Sequence, residues 1–223
     1  MTAPKTPELS GPVEDYLKVI FELEATDGIA GTNEIAAELD IAAASVSGMI
    51  RRLAEQGLIA HERYRGVRLT RAGKRAALRT IRRHRVIEAY LTTALGYPWD
   101  RVHDEAERLE HAASDELIDR MAAAIGEPST DPHGAPIPTR EGTIDEERLA
   151  SLASVPVGKR VRIQRVGDRD AEQLRYLAKI GITPGRQVEV IARAPFDGPI
   201  DLKIGRVVRS IGPALARQIA VGS

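Results

Sequence analysis

The chain has 223 residues, with 32 Lys and Arg balanced by 32 Asp and Glu, and it contains no cysteine. The missing cysteines exclude disulfides and thiolate metal sites, while the length is sufficient for two or three small domains. No apolar run approaches the roughly 20 residues of a membrane-spanning helix, and the N-terminus lacks the apolar core of a signal peptide. We therefore expect a soluble, cytoplasmic protein without membrane partners.

The balanced net charge hides two neighbouring blocks of opposite sign. Segment 51–85 is dominated by Arg and Lys, with only Glu55 and Glu62 against them, and segment 88–119 is rich in Asp and Glu. A basic block predicts a polyanionic partner, and an acidic block predicts bound cations.

The first part of the chain has the pattern of a helix-turn-helix. Pro12 suits the first turn of a helix that Ser10 or Gly11 could cap, and the pair Asp27-Gly28 ends it. Thr32 is a good N-cap for a short helix over 33–39, and a third helix carries apolar residues at helical spacing until Gly57. Short helix, tight turn and helix is the arrangement that places a recognition helix in the major groove.

Two short β-rich runs, 58–62 and 67–70, follow and predict a hairpin that forms a wing. Residues 1–73 are therefore predicted to form a winged helix-turn-helix domain that binds double-stranded DNA. A small helical domain that binds no nucleic acid is the alternative, and the basic charge argues against it. The candidate phosphate contacts are Ser45, Ser47, Arg51 and Arg52 on the third helix and Arg63 and Arg65 on the wing.

A long helix is predicted from Arg71 to Leu95, with His84 and Glu88 one turn apart. Downstream, His103, Glu107, Glu110 and His111 would share one face of a helix within a sector of about 100°. Imidazoles and carboxylates on one stripe can coordinate a divalent cation. A further helix over 115–125, capped by Ser114, leaves apolar surface, so we expect a homodimer.

The last part of the chain predicts a small β-rich domain. Residues 126–142 are rich in Pro, Gly, Ser and Thr and predict a surface loop, in which His133 is interpreted as solvent-exposed. The helical metal-binding and dimerisation domain then spans 74–142, and 143–154 is a linker. Short strand runs and one helix at 170–180 predict an SH3-like barrel over 155–223. The predicted fold class is mainly α with a β-rich C-terminal domain.

The order of these parts resembles the diphtheria toxin repressor family of metal-dependent transcriptional regulators, specifically its three-domain members, with a ferrous transport A-like C-terminal domain. The match covers nearly the whole chain. The strings that carry it are Asp15-Tyr16-Leu17-Lys18-Val19-Ile20, Leu53-Ala54-Glu55-Gln56-Gly57-Leu58-Ile59, Tyr64-Arg65-Gly66-Val67-Arg68-Leu69-Thr70, His84-Arg85, Val102-His103-Asp104-Glu105-Ala106-Glu107, Glu110-His111 and Asp131-Pro132-His133-Gly134-Ala135-Pro136-Ile137-Pro138.

The resemblance implies two metal ions per subunit. A regulatory site would take Asp15, Glu107, Glu110 and His111. An ancillary site would take His84, Glu88 and His103, completed from the C-terminal domain by Asp170 and Gln173. A cation at the regulatory site would fix the angle between the DNA-binding and dimerisation domains. His103 and His111 would then serve different ions.

The resemblance also bears on the choice of metal. Iron-responsive members place methionine at the position of Asp15 and cysteine at that of Glu107, whereas manganese-responsive members have Asp and Glu. Hard carboxylates favour a hard cation, so we expect a Mn²⁺-dependent repressor of metal-uptake genes, with an iron-responsive or dual-metal repressor as the alternative. Lys18 replaces a glutamate ligand of the two-domain manganese regulators, which puts their type of binuclear cluster in doubt.

Two other functional classes are weaker interpretations of the same residues. His and Glu clusters also build metallohydrolases, but the fused DNA-binding domain argues for a regulator rather than an enzyme. An organic effector would need an apolar pocket, for which two Phe and one Trp offer little material. The small residues Ala42, Ala44 and Gly48 on the recognition helix suggest that DNA shape contributes more than direct base contacts.

Overall fold

The computed structural model describes residues 9–62, 65–145 and 148–222. For Thr26, Asp27 and Glu62 it describes the backbone only. The chain forms two compact units. The first contains the chain up to Arg83 together with 110–113 and 138–144, and the second contains 84–109, 114–137 and the rest from Asp145. Within the described residues, none of the helices is both long and apolar enough to cross a membrane.

The first unit confirms the predicted helix-turn-helix and wing. Its helices are α1 (Gly11–Asp27), α2 (Thr32–Glu38), α3 (Ala43–Glu55) and the beginning of α4 (Arg71–Leu95). Its antiparallel hairpin consists of β1 (Ile59–Glu62) and β2 (Gly66–Leu69).

Two helix ends in this unit show how local chemistry sets the bounds. α1 ends where Gly28 adopts a φ of 75° and donates its N–H to the carbonyl of Glu24. The prediction that Thr32 is the N-cap of α2 is wrong by one residue, because Gly31 occupies that position. The backbone N–H of Gly31 donates to the Glu34 carboxylate at 2.8 Å, which satisfies the start of α2 without a hydroxyl cap.

The core of the first unit orients α3. Val46 and Leu53 are fully buried and Ile50 nearly so, together with Leu17 and Ile35 from the neighbouring helices. Replacing one of the large buried aliphatics with alanine costs about 2–5 kcal/mol. The opposite face of α3 is thereby turned to solvent.

The helical part of the second unit contains the rest of α4, α5 (Val102–Leu109) and α6 (Asp115–Ala124). The expectation that one helix carries all four residues from His103 to His111 is wrong, because α5 ends at Leu109. The chain must turn there so that Ser114 can cap α6, where its hydroxyl accepts the Leu117 N–H at 3.2 Å. Glu110 and His111 lie in that turn.

The C-terminal part of the second unit confirms the β-rich domain. Its elements are β3 (Ala150–Ser151), β4 (Arg160–Arg165), α7 (Ala171–Ile180), β5 (Gln187–Arg193), β6 (Ile200–Ile204), β7 (Val207–Ile211), α8 (Pro213–Arg217) and β8 (Ala220–Gly222). The strands form one antiparallel sheet in the order β3-β8-β4-β5-β6-β7. The sheet and α7 bury an aliphatic core that includes Ile163, Leu174 and Leu202. The two-residue strand β3 and the short α8 were not predicted.

The loop that contains His133 packs against β4, so the prediction that His133 is solvent-exposed is wrong: its side chain is fully buried. The carbonyl of His133 accepts the backbone N–H of Val166 at 3.0 Å. The Asp131 carboxylate accepts the backbone N–H groups of His133 and Ala135 at 2.8 and 2.9 Å. Gly134 has a φ of 88°, and a Cβ there would overlap the carbonyl of Gln164.

Candidate metal centres

Ionisable side chains converge at two places, one in each unit. We call Asp15, Glu110 and His111 the regulatory cluster. We call His84, Glu88, His103, Asp131, His133 and Asp168 the ancillary cluster. Each contains groups of carboxylate oxygens and imidazole nitrogens that lie within 4.8 Å of one another.

The regulatory cluster joins α1 to the turn after α5. His111 Nε2 lies 2.8 Å from Asp15 Oδ1, and His111 Nδ1 lies 2.7 Å from Glu14 Oε2. Glu14 in turn accepts from Arg83 at 3.0 Å. His111 therefore connects two consecutive carboxylates of α1.

Cationic side chains of the same unit lie beside these carboxylates. Lys18 Nζ lies 3.2 Å from both oxygens of Glu110, whose side chain is fully buried. Burial lowers the pKa of His111, but the hydrogen bond to Glu14 and the charges of Asp15 and Glu110 outweigh burial and raise it. The ammonium of Lys18 and the guanidinium of Arg83 supply positive charge here, and the raised pKa of His111 favours its protonated form.

Glu107, which the resemblance assigns to the regulatory site, belongs to the second unit. Its Oε1 lies 3.5 Å from His84 Nδ1 and 3.8 Å from His103 Nε2. The structure therefore places Glu107 behind the two imidazoles of the ancillary cluster.

In the ancillary cluster, α4 and α5 bring together three of the predicted ligands. His84 Nε2, His103 Nδ1 and Glu88 Oε1 form a triangle with edges of 3.2, 3.5 and 3.1 Å. Ligand atoms around one cation at about 2.1 Å are separated by about 3 Å when they bind at right angles. The triangle matches that spacing.

Three further residues face Glu88 that the sequence analysis did not assign to a site. Asp131, His133 and Asp168 each offer an atom close to Glu88, and His133 Nδ1 lies 3.8 Å from Glu88 Oε2. His133 Nε2 donates to the carbonyl of Trp99 at 2.8 Å, so Nδ1 faces the cluster and offers a lone pair once it loses its proton. The signal available in the sequence was the close spacing of two potential metal ligands, Asp131 and His133.

The two predicted ligands from the C-terminal domain contact each other at the start of α7. Asp170 caps this helix by accepting the backbone N–H groups of Glu172 and Gln173 at 2.8 and 3.1 Å. Its second oxygen accepts the side-chain amide of Gln173 at 2.9 Å. Asp168 of this domain also offers a carboxylate oxygen near Glu88.

The ancillary cluster fits a divalent cation because several of its buried ligand atoms lack a hydrogen bond. Both oxygens of Glu88, Asp131 Oδ2 and His133 Nδ1 have no hydrogen-bond partner within the described part of the chain, although Arg85 lies 3.7 Å from Asp131 Oδ2. Buried polar groups without a hydrogen-bond partner destabilise the folded protein unless an ion or another charge compensates them. Carboxylate oxygens and imidazole nitrogens together suit Mn²⁺, Fe²⁺ and Zn²⁺.

Proton release on metal binding is expected from the same groups. Burial lowers the pKa of His133, but Glu88 and Asp131 outweigh it and raise this pKa to about 9. Burial and the charge of Glu88 raise the pKa of Asp131 to about 6. At pH 7.5 the metal-free His133 is therefore protonated, and Mn²⁺ binding at Nδ1 should release about one proton.

Titration calorimetry in two buffers of different ionisation enthalpy measures that proton. Affinity should rise as the pH approaches 9 and fall below pH 6, where Asp131 is protonated. His133→Gln should abolish the buffer dependence of this binding event, whereas a buffer-independent enthalpy for the natural protein would contradict the assignment.

The predicted DNA-contacting residues lie on exposed surface of the first unit. Ser45, Ser47, Arg51 and Arg52 are exposed on α3, and Arg65 is exposed in the turn between β1 and β2. The Ser47 hydroxyl donates to the carbonyl of Ala43 at 3.2 Å. Arg63 lies outside the described residues.

Comparisons with known proteins cover all three parts of the chain. The "Iron dependent repressor, N-terminal DNA binding domain" family matches residues 8–67, the "Iron dependent repressor, metal binding and dimerisation domain" family matches 70–139, and the "FeoA domain" family matches 150–222. The diphtheria toxin repressor of Corynebacterium jeikeium is 32% identical over 206 residues, which cover 90% of this chain and 85% of that protein.

Solved structures are similar along nearly the whole length. A manganese-dependent transcriptional repressor in complex with manganese is 40% identical, with a TM-score of 0.89 over 95% of this chain and 99% of that one. IdeR of T. acidophilum is 31% identical, with a TM-score of 0.78 over 93% of this chain and 96% of that one. With its DNA-binding, metal-binding and FeoA parts in this order, the chain belongs to the diphtheria toxin repressor family of metal-dependent transcriptional regulators.

Proposed function

We propose that this chain is a Mn²⁺-dependent repressor that binds operator DNA as a homodimer and controls metal-uptake genes. The observation that carries the proposal is that both clusters, as the described residues form them, consist of carboxylates and imidazoles. Asp15 and Glu107 stand where the resemblance places sulfur ligands in iron-responsive members. The 40% identical repressor that was solved with manganese supports the same choice.

The regulatory cluster lies where metal binding can act on the DNA-binding part. Asp15 belongs to α1 of that part, and Glu110 and His111 belong to the segment that matches the metal-binding and dimerisation domain. A divalent cation supplies the charge that lets these carboxylates stay close together. The cluster would then fix α1, and with it the spacing of two α3 helices in a dimer, which must match major grooves about 34 Å apart.

A homodimer is supported by exposed apolar side chains in the helical part of the second unit. Leu95, Tyr97, Leu109 and Leu117 have 58%, 39%, 41% and 46% of their surfaces exposed. Large apolar side chains that are exposed on one subunit favour association when they cluster. In a homodimer with twofold symmetry, each subunit buries the same patch.

Operator binding measured by fluorescence anisotropy tests the proposal. Mn²⁺ should tighten binding by about 5- to 150-fold, which corresponds to a coupling free energy of about 1–3 kcal/mol. An unchanged affinity in the presence of a chelator would refute metal control. Catalysis is not expected, because members of this family are transcriptional regulators.

An iron-responsive or dual-metal repressor is the second candidate, because the matching families and IdeR relatives are iron-dependent by name. Introducing Asp15→Met together with Glu107→Cys should shift the response from Mn²⁺ to Fe²⁺, since sulfur donors favour softer metals. Anaerobic titration of both metals measures the shift. Glu105→Gln on α5 is the matched control, and an unchanged metal profile in the double variant would show that these positions do not set selectivity.

A further inference from the structure

We propose that an open pocket on the β-sheet of the C-terminal domain binds a small anion with two or more linked phosphoryl groups. The pocket has a volume of about 580 Å³. Four cationic side chains line it: Arg160, Arg162, Arg186 and Lys203. Within the described part of the chain it shares no lining residue with either metal cluster, so this binding would be separate from the proposed response to metal.

The pocket has an excess of positive charge. Glu189 is the one carboxylate among its described lining residues, and it accepts from Arg160 Nε at 2.9 Å. Neither Arg186 nor Lys203 forms a salt bridge with another described residue. Four positive charges against one negative charge leave a net of three, which favours an anion that carries several charges.

The cationic side chains on the strands lie on the outer face of the sheet. Arg160 of β4 and Lys203 of β6 both lie opposite Glu189 of β5 in the sheet register. Side chains alternate between the two faces of a strand, and Val188 and Val190, on either side of Glu189, are buried in the core. Glu189 and its two partners therefore face outward.

Protection of a sheet edge does not explain these charges. Lys and Arg often block unwanted pairing at edge strands, but β4, β5 and β6 are interior strands in the order β3-β8-β4-β5-β6-β7. Like charges at neighbouring positions on one face of a sheet are destabilising. A bound anion would relieve this repulsion.

Backbone hydrogen bonds hold one wall of the pocket in place. Gly185 donates its N–H to the carbonyl of Ile163 at 2.8 Å, and Ile163 donates its own N–H to the carbonyl of Arg186 at 2.8 Å. The guanidinium of Arg162 donates to the Gly185 carbonyl, also at 2.8 Å. The turn before β5 is therefore fixed beside β4, and Arg162 keeps further N–H donors for an anion.

The chemistry and spacing of the donors suit linked phosphoryl groups. A planar guanidinium donates paired N–H groups that match the oxygens of a phosphate. Arg160 and Arg162 are two residues apart on one strand, about 7 Å, and Arg160 and Lys203 are two strands apart, about 10 Å. One phosphate group is small compared with this area, whereas linked phosphoryl groups extend across it.

Isothermal titration calorimetry with inorganic diphosphate tests the site in the full-length, metal-free protein. We expect saturable binding of one anion per chain. Inorganic phosphate should bind at least about 10-fold more weakly, because it makes fewer charge-assisted hydrogen bonds.

Adenosine diphosphate is titrated in parallel to identify the source of the phosphoryl groups. The described lining residues include no aromatic side chain that could stack on a base, so adenosine diphosphate should bind about as tightly as diphosphate. Tighter binding of adenosine diphosphate would also support the site and would identify nucleotides as its ligands.

Variants that neutralise one charge at a time locate the binding site. Arg162→Gln and Lys203→Gln, on different strands, should each weaken diphosphate binding by about 10-fold, as expected for the loss of a hydrogen bond between charged groups. Lys179→Gln, at an exposed position of α7, removes the same charge outside the pocket and should bind like the natural protein. Thermal melting checks that each variant is folded.

No saturable heat up to about 1 mM diphosphate would overturn the proposal, and so would binding that Arg162→Gln and Lys203→Gln leave unchanged. Phosphate that binds as tightly as diphosphate would also overturn it, since the pocket would then recognise single anions. If the two variants weaken binding of random-sequence duplex DNA and diphosphate does not bind, the pocket is a nucleic-acid surface and the proposal fails. Operator binding in response to Mn²⁺ does not depend on any of these outcomes.

Discussion

Replacing His111 with alanine should lower Mn²⁺-stimulated operator affinity by about 10²-fold, to the level seen in chelator. A loss of this size corresponds to most of the expected coupling free energy. The effect is large because His111 lies within 2.8 Å of both Glu14 and Asp15 on α1. Its removal takes a ligand from the regulatory cluster and also leaves two neighbouring carboxylates without their connecting imidazole. Fluorescence anisotropy with and without Mn²⁺ measures the difference.

The matched control is Asp104→Ala, an exposed acidic residue on α5. This variant should keep the full response to Mn²⁺. Affinity in chelator should be the same for the natural protein and both variants, because α3 and the wing are untouched. A His111→Ala protein that still tightens on its operator with Mn²⁺ would show that the regulatory cluster does not control DNA binding.

Lys18→Glu should make the first unit depend on metal for its stability. The ammonium of Lys18 lies 3.2 Å from both oxygens of the fully buried Glu110, so the change replaces an ion pair with two like charges. Breaking such a buried pair costs about 3–5 kcal/mol, which lowers the melting temperature in chelator by roughly 10 °C. Mn²⁺ should restore most of the loss, because the added carboxylate is itself a metal ligand.

Differential scanning calorimetry measures the melting temperature in chelator and in Mn²⁺. Lys179→Glu, on an exposed position of α7, makes the same change in net charge and should melt like the natural protein. If Lys18→Glu and Lys179→Glu melt alike in chelator, the contact between Lys18 and Glu110 contributes little to stability.

The elements most easily predicted from sequence are those with strong local signals. The bounds of α4 are an example, because the predicted helix from Arg71 to Leu95 matches the observed one. His84 and Glu88 could be paired for the same reason, since one turn of a helix fixes their separation. Local pattern is sufficient wherever both partners lie on one regular element.

The failures at His133 and at the end of α5 concern relations that a local pattern cannot contain. His133 lies in a segment whose polar and turn-forming residues suggest exposure. The segment is nevertheless packed against β4, because the His133 carbonyl accepts the Val166 N–H and Gly134 lies close to the carbonyl of Gln164. The end of α5 at Leu109 separates Glu110 from the helical stripe on which the spacing argument relied.

The attachment of the His133 loop to β4 has an evolutionary consequence. Gly134 leaves no room for a side chain against Gln164, and Asp168 follows directly from that strand. A descendant that lost the C-terminal domain would lose both the wall that holds His133 in place and a carboxylate donor in a single deletion. The loop and the domain are therefore coupled at the ancillary cluster, whereas the regulatory cluster takes no residue from the C-terminal domain.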